Sequence, residues 1–156
     1  DKPGFVGGAF QAGGEYHRHW GLYAGGTYEP ATVEAVEAGR TAVRMLERYP
    51  PEVNHEGWPR LVRRLARDSG FALADIDFII FTQVRQPSIE LVMADLGLPM
   101  DKTHTVMEKW GYTGSACIPM ALDDALEQGR IGPGALLVMV GSGVGYNQAA
   151  AALRMR

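Results

Sequence analysis

A few short stretches hold the residues able to do chemistry. "GSGVG" (141–145) is a glycine turn between apolar runs, and such a backbone can bring main-chain N–H groups close to a ligand oxygen. Taken alone, it describes any tight turn between two strands. Cys117 is the single cysteine and lies inside a helical pattern, where buried, unreactive thiols are common. His17 and His19 form an H-x-H pair that would share one face of a strand and could grip a metal ion. No third ligand of suitable spacing accompanies them, so loop histidines are expected and no metal is. His104 sits in the run "THTVM" (103–107), which predicts a hydrogen-bonded core histidine in a buried strand. Arg60, Arg63, Arg64 and Arg67 fall at i, i+3, i+4 and i+7, placing four guanidiniums on one helical face. That stripe could dock an acidic carrier protein, but a solvated face opposite Leu61 and Leu65 is the expectation adopted. Tyr112 is the odd residue, an aromatic just ahead of a helix where small polar residues are easier to accommodate.

Composition bounds what these residues can serve. The chain has 156 residues, 46% of them hydrophobic, which is one domain's worth with enough apolar content for a core. A net charge of −3 supplies no basic field for nucleic acid or an anionic membrane. One cysteine excludes an internal disulfide and suits a reducing compartment. No apolar run reaches the roughly 18 residues of a spanning helix, and the first residues lack signal-peptide character. A soluble, cytoplasmic protein is expected.

The elements that would position these residues follow from periodicity. Val33, Val36, Val43 and Leu46 at near-helical spacing predict a helix over 32–48, ended by Pro50 and Pro51. Pro59 at a first turn, an apolar stripe of Leu61, Val62 and Leu65, and Gly70 as a stop predict a second helix. "IDFIIF" (76–81) reads as a strand, and "PSIELVMADLG" from Pro87 to Gly97 as a helix. "THTVM" reads as a strand, "GSACIPMALDDALEQG" (114–129) as a helix and "ALLVMV" (135–140) as a strand buried on both faces. "YNQAAAALRM" fits strand or helix by composition. Strands alternating with helices predict an α/β layered domain. The opening "PGFVGGAF" brings a β-like run almost at once, which reads as the interior of something longer.

In this order the signals resemble the C-terminal half of β-ketoacyl-acyl-carrier-protein synthase III, of the thiolase superfamily. The stretches carrying the resemblance are "ADIDFIIFTQ", "LGLPMDKTHTVMEKWGYTGSACIPMALDDALEQGRIGPG", "LLVMVGSGVGYN" and the closing "ALRM". The resemblance implies an α/β, thiolase-like fold, the C-terminal half of a five-layered αβαβα sandwich. Residues 1–30 would be the last strand of the N-terminal half and its connection, and 31–156 the C-terminal domain. Strand Phe5–Phe10 would then lie apart from the sheet holding 76–81.

It also implies a chemistry. The family's histidine, which follows the strand, corresponds to Thr82, and the asparagine of its Gly-Asn-Thr turn corresponds to Tyr112 in Gly111-Tyr112-Thr113. The turn Gly143, Val144 and Gly145 would aim a main-chain N–H at a thioester oxygen, with Ser142 where a phenylalanine is usual. Gln83, Arg85 and Ser142 would line the pocket, with Arg85 near a phosphopantetheine or carrier phosphate. A threonine hydroxyl and a phenol are at best neutral donors, so malonyl decarboxylation would suffer more than acyl transfer. The implied protein is an acyltransferase of fatty-acid or related acyl-chain biosynthesis. It needs no cofactor beyond its coenzyme A or phosphopantetheine thioester substrate. Its partners would be the missing N-terminal half with the nucleophilic cysteine, an acyl carrier protein, and a second copy in a homodimer. The alternative is a non-catalytic, degenerate half that shapes a partner subunit.

Overall fold

The computed structural model describes residues 2–156; Asp1, the first residue of the expected 1–30 segment, lies outside them. In chain order the strands and helices are β1 (Gly4–Ala12), β2 (Trp20–Gly21), α1 (Val33–Glu37), β3 (Arg44–Met45), α2 (Glu52–His55), α3 (Gly57–Ser69), β4 (Phe78–Phe81), α4 (Gln86–Leu96), α5 (Met107–Trp110), α6 (Cys117–Glu127), β5 (Leu136–Gly143) and β6 (Asn147–Arg154). The chain divides into two units: a larger one of the N-terminal residues through Gln11, Pro51–Ser142 and Gln148–Arg156, and a smaller one of Ala12–Pro50 and Gly143–Asn147.

The larger unit is built on a sheet of order β1-β6-β5-β4, in which β4 and β5 run parallel with Phe78 opposite Leu137 and Phe81 opposite Val140. Every residue of β4 is buried, because the strand's alternation feeds two cores. Ile79 and Phe81 join Leu61, Val62, Leu65, Ile89, Val92 and Val138 on one face. Phe78 and Ile80 join Ala121, Ala125 and Leu137 on the other. Helices α3 and α4 therefore cover one face and α6 the opposite one. Their ends are those the sequence indicates: Gly70 and Gly97 close α3 and α4 in the left-handed conformation, and Pro87 sits in the first turn of α4.

Three expectations need correction. Strand Phe5–Phe10 does not lie apart: β1 is the edge of the same sheet as β4. Ala9 joins the core beneath α3, and a Cβ on Gly7 would collide with Ser69. An edge strand's neighbour is not encoded in its own residues, so only the assembled sheet shows it. The helix expected over 32–48 survives only as α1, which Thr32 caps by accepting from Ala35 N–H at 3.2 Å. Beyond it Gly39 turns at φ 66°, and the Leu46 and Glu47 N–H groups donate to His19 O rather than one helical turn back. The strand expected over 103–107 reduces to a single bridge from Thr103 to Ile79. The next N–H that could extend it, that of Val106, is taken by the Gln83 side chain at 3.0 Å.

The smaller unit holds the two-stranded pairing of β2 with β3, Trp20 opposite Met45, and an ion pair between Arg40 and Glu29. Val33, Val36, Val43 and Leu46, which the sequence suggests as a helical stripe, are exposed. None of the helices among the described residues is long and apolar enough to cross a membrane.

Candidate active site

The parallel strands β4 and β5 end side by side, and the polar residues just beyond them are where an open α/β sheet offers a site. Thr82 follows β4 directly and is 3% exposed. Its N–H continues the ladder to Val140 O at 2.9 Å, while its hydroxyl accepts from Ser142 N–H at 2.9 Å and reaches Val140 O at 3.5 Å. The side chain thus does what one more residue of strand would do. Gln83, fully buried, is likewise committed: its amide nitrogen donates to Phe81 O and His104 O, and its oxygen accepts from Val106 N–H. It ties the 104–106 loop to the end of β4.

Ser142 is the hub of a larger polar network. Its hydroxyl accepts from Trp58 Nε1 at 2.6 Å and donates to Asn54 Oδ1 at 3.0 Å. Gln148, 2% exposed, donates to Val53 O and Asn54 Oδ1 and accepts from Gln11. Gln11 in turn reaches Gly57 O at 3.3 Å. A buried amide is tolerated only when paired this way. The sequence reading missed Asn54, Trp58 and Gln148. The only signal was a glutamine inside an alanine-rich strand.

Tyr112 is 44% exposed and lies in the loop between α5 and α6. Burial, and then the neighbouring Cys117, push its phenol above the usual 10.0, so it is a neutral hydrogen-bonding group at physiological pH. Cys117 is the first residue of α6, not an interior one, and is buried, with its sulfur accepting from Gln83 N–H at 3.3 Å.

His104 is not free to act as a base. Arg130 Nη1 lies 2.5 Å from its Nδ1, and since arginine only donates, that nitrogen is the acceptor and Nε2–H points to Asp124 Oδ2, also at 2.5 Å. Asp124 also accepts from Lys109 Nζ and Gln128 Nε2, both at 2.6 Å. The hydrogen bond from Lys109, then that from His104, hold its carboxyl below the usual 3.8. A carboxyl more acidic in the native state than in the unfolded one stabilises above its unfolded pKa, and that contribution fades as pH falls through the native value. Asp124→Asn is therefore expected to lower stability at neutral pH while converging with the parent below about pH 4, as read by denaturant unfolding across pH. A constant difference down to strong acid would contradict the assignment.

In the smaller unit, the turn after β5 is held by its own partners. Gly13 and Tyr146 exchange backbone hydrogen bonds at 2.8 and 2.7 Å, and Gly145 N–H donates to the Tyr49 hydroxyl at 3.0 Å. Gly145 adopts φ 135°, open only to glycine. With the Gly145 and Tyr146 N–H groups occupied, the neighbouring Val144 N–H has no acceptor among the described residues.

The two loop histidines and the arginine stripe have local partners. His17 bonds Gly14 O, and His19 meets Glu47 and Arg48 O. No group of three or more metal-binding side chains occurs among the described residues. The arginine stripe is engaged locally, Arg63 on Asp95, Arg64 and Arg67 on Asp68, and Arg60 on Gln11. Arg85 is exposed at the start of α4.

Residues 66–155, which contain both strand ends and the loop of Tyr112, match the family described as 3-oxoacyl-[acyl-carrier-protein (ACP)] synthase III C terminal. The chain belongs to this family. Among curated synthase III relatives, the β-ketoacyl-[acyl-carrier-protein] synthase III of Symbiobacterium thermophilum is 32% identical over 97% of this chain and 46% of its own length. Acetoacetyl CoA synthase NphT7 of a Streptomyces species is 30% identical over 78% of this chain and 37% of its own. The solved synthase III of Thermus thermophilus superposes with a TM-score of 0.83 at 22% identity, covering all of this chain and 47% of that one. The fold is thus thiolase-like, matching the C-terminal half of synthase III structures, and the chain spans under half the length of these relatives.

Proposed function

We propose that this chain is the C-terminal part of a synthase III-like acyltransferase acting on acyl thioesters of coenzyme A or acyl carrier protein, with the acyl-accepting cysteine outside it. The observation that carries the reading is the family match over residues 66–155, a span that includes Thr82, Tyr112 and the Gly143–Gly145 turn. In this reading Thr82 and Tyr112 stand at the family's histidine and asparagine positions, and neither can take a proton near neutral pH. Val144 N–H, unoccupied in its turn, is the donor to the thioester oxygen as negative charge develops there. Arg85, exposed at the start of α4, contacts the phosphate of coenzyme A or of the carrier's phosphopantetheine. The working assembly is a cytoplasmic homodimer in acyl-chain biosynthesis.

The committed hydroxyl of Thr82 supports a second reading, a half that has exchanged chemistry for structure and stabilises a partner. One experiment separates the two. The full-length polypeptide carrying this chain is incubated with acyl-coenzyme A and its intact mass recorded. A mass increase of one acyl group is expected; none, with a range of acyl lengths and folded protein, overturns the acyltransferase.

A further inference from the structure

We propose that Tyr49 is a positioning residue whose phenol oxygen fixes the glycine turn by accepting the Gly145 N–H. The bond, at 3.0 Å, joins residues far apart in sequence, so it pins the turn to the segment that precedes α2. The phenol is itself held. Its ring stacks on His19 with centroids 5.7 Å apart and planes 5° apart, and meets the edge of Tyr16 at 5.7 Å. Tyr16 also contacts Tyr146, the residue after Gly145, at 5.5 Å. His19 is anchored in turn, since its carbonyl accepts from Leu46 and Glu47 N–H at 2.8 and 3.1 Å. On the other side of the turn, the reciprocal Gly13–Tyr146 bonds work only because residue 13 has no side chain: a Cβ there would run into the Tyr146 ring.

The turn is therefore gripped at two consecutive residues by two different devices, a backbone pair at Tyr146 and a phenol at Gly145. Glycine at φ 135° needs such a grip, because without a side chain it has many other conformations to visit. Tyr49 also removes one peptide N–H from competition, which leaves the neighbouring Val144 N–H as the group whose direction the grip determines. That consequence for catalysis rests on the acyltransferase reading. The hold on the turn does not.

The test is Tyr49→Phe in the full-length polypeptide, which keeps the ring and its stacking and deletes only the hydroxyl. Amide hydrogen exchange at Gly145 is expected to speed up about tenfold or more while Gly13 and Tyr146 stay protected. Unchanged exchange at Gly145 overturns the proposal, whatever the activity. Where the parent forms an acyl-enzyme, the variant is expected to acylate about tenfold more slowly at saturating thioester with an unchanged half-saturation concentration. Faster exchange with undiminished acylation would overturn the positioning role. A parent that never acylates refutes the acyltransferase reading, and the exchange result then decides alone whether Tyr49 holds the turn.

Discussion

Installing a histidine and an asparagine together, Thr82→His with Tyr112→Asn, is expected to raise carbon dioxide release from malonyl thioester by roughly 10²–10⁴-fold over the parent polypeptide. The expectation follows from what each present side chain can offer. Decarboxylation leaves an enolate, and a donor preorganised toward that oxygen contributes about 3–4 kcal/mol to such a step. The Thr82 hydroxyl is already engaged with Ser142 N–H and Val140 O, so it has no proton to spare. The Tyr112 phenol is neutral and half-exposed in its loop. Replacing Thr82 also has a cost, because Ser142 N–H loses its acceptor, a penalty of about 1–3 kcal/mol for a buried donor. The single Tyr112→Asn leaves that bond intact and serves as the folded reference. Release of labelled carbon dioxide and thermal unfolding are measured on the parent, the single Tyr112→Asn and the double variant. Robust release by the parent would remove the assignment of Thr82 and Tyr112, and so would a folded, acylating double variant that gains nothing.

Gly57→Ala is expected to destabilise the protein by about 2 kcal/mol, lowering the melting temperature by roughly 4–8 °C. The sign is the informative part. Alanine in place of a helical glycine ordinarily stabilises by up to about 1 kcal/mol. At Gly57, the first residue of α3, the added methyl would collide with the Gln148 amide oxygen and crowd Gln11 Nε2 at 3.1 Å. Gln148 cannot swing aside cheaply, since its amide is buried and bonded to Val53 O, Asn54 and Ser142. Moving it breaks the network that fixes the end of β5. Gly132→Ala is the control, because its Cβ would meet open space and its φ is not one that favours glycine. A neutral or stabilising Gly57→Ala in calorimetry would mean that this network is looser than its hydrogen bonds indicate.

Helix α3 shows how much was legible in the residues themselves. Its apolar stripe, its proline and Gly70 are neighbours in sequence, and the forces that start, orient and stop it act within a few residues. The same holds for β4, α4 and the body of α6, and for the order of signals that marks the synthase III family. The candidate positions Thr82, Tyr112 and Gly143–Gly145 came from the resemblance to the family, whose order of signals is legible along the chain.

Tertiary structure decided what these residues are bonded to. Whether Thr82 is free or committed depends on Ser142, which is brought to it only by the parallel register of β4 and β5. The expected strand at 103–107 failed because a side chain, Gln83, captured the Val106 N–H. The expected helix over 32–48 failed because its N–H groups found His19 O instead. The edge strand β1 carried no mark of its neighbour. Local pattern fixes which backbone conformations a segment prefers. The partner that each polar group finally meets is a property of distant chain brought near, as with Ser142 for Thr82, Val106 for Gln83 and Gly145 for Tyr49.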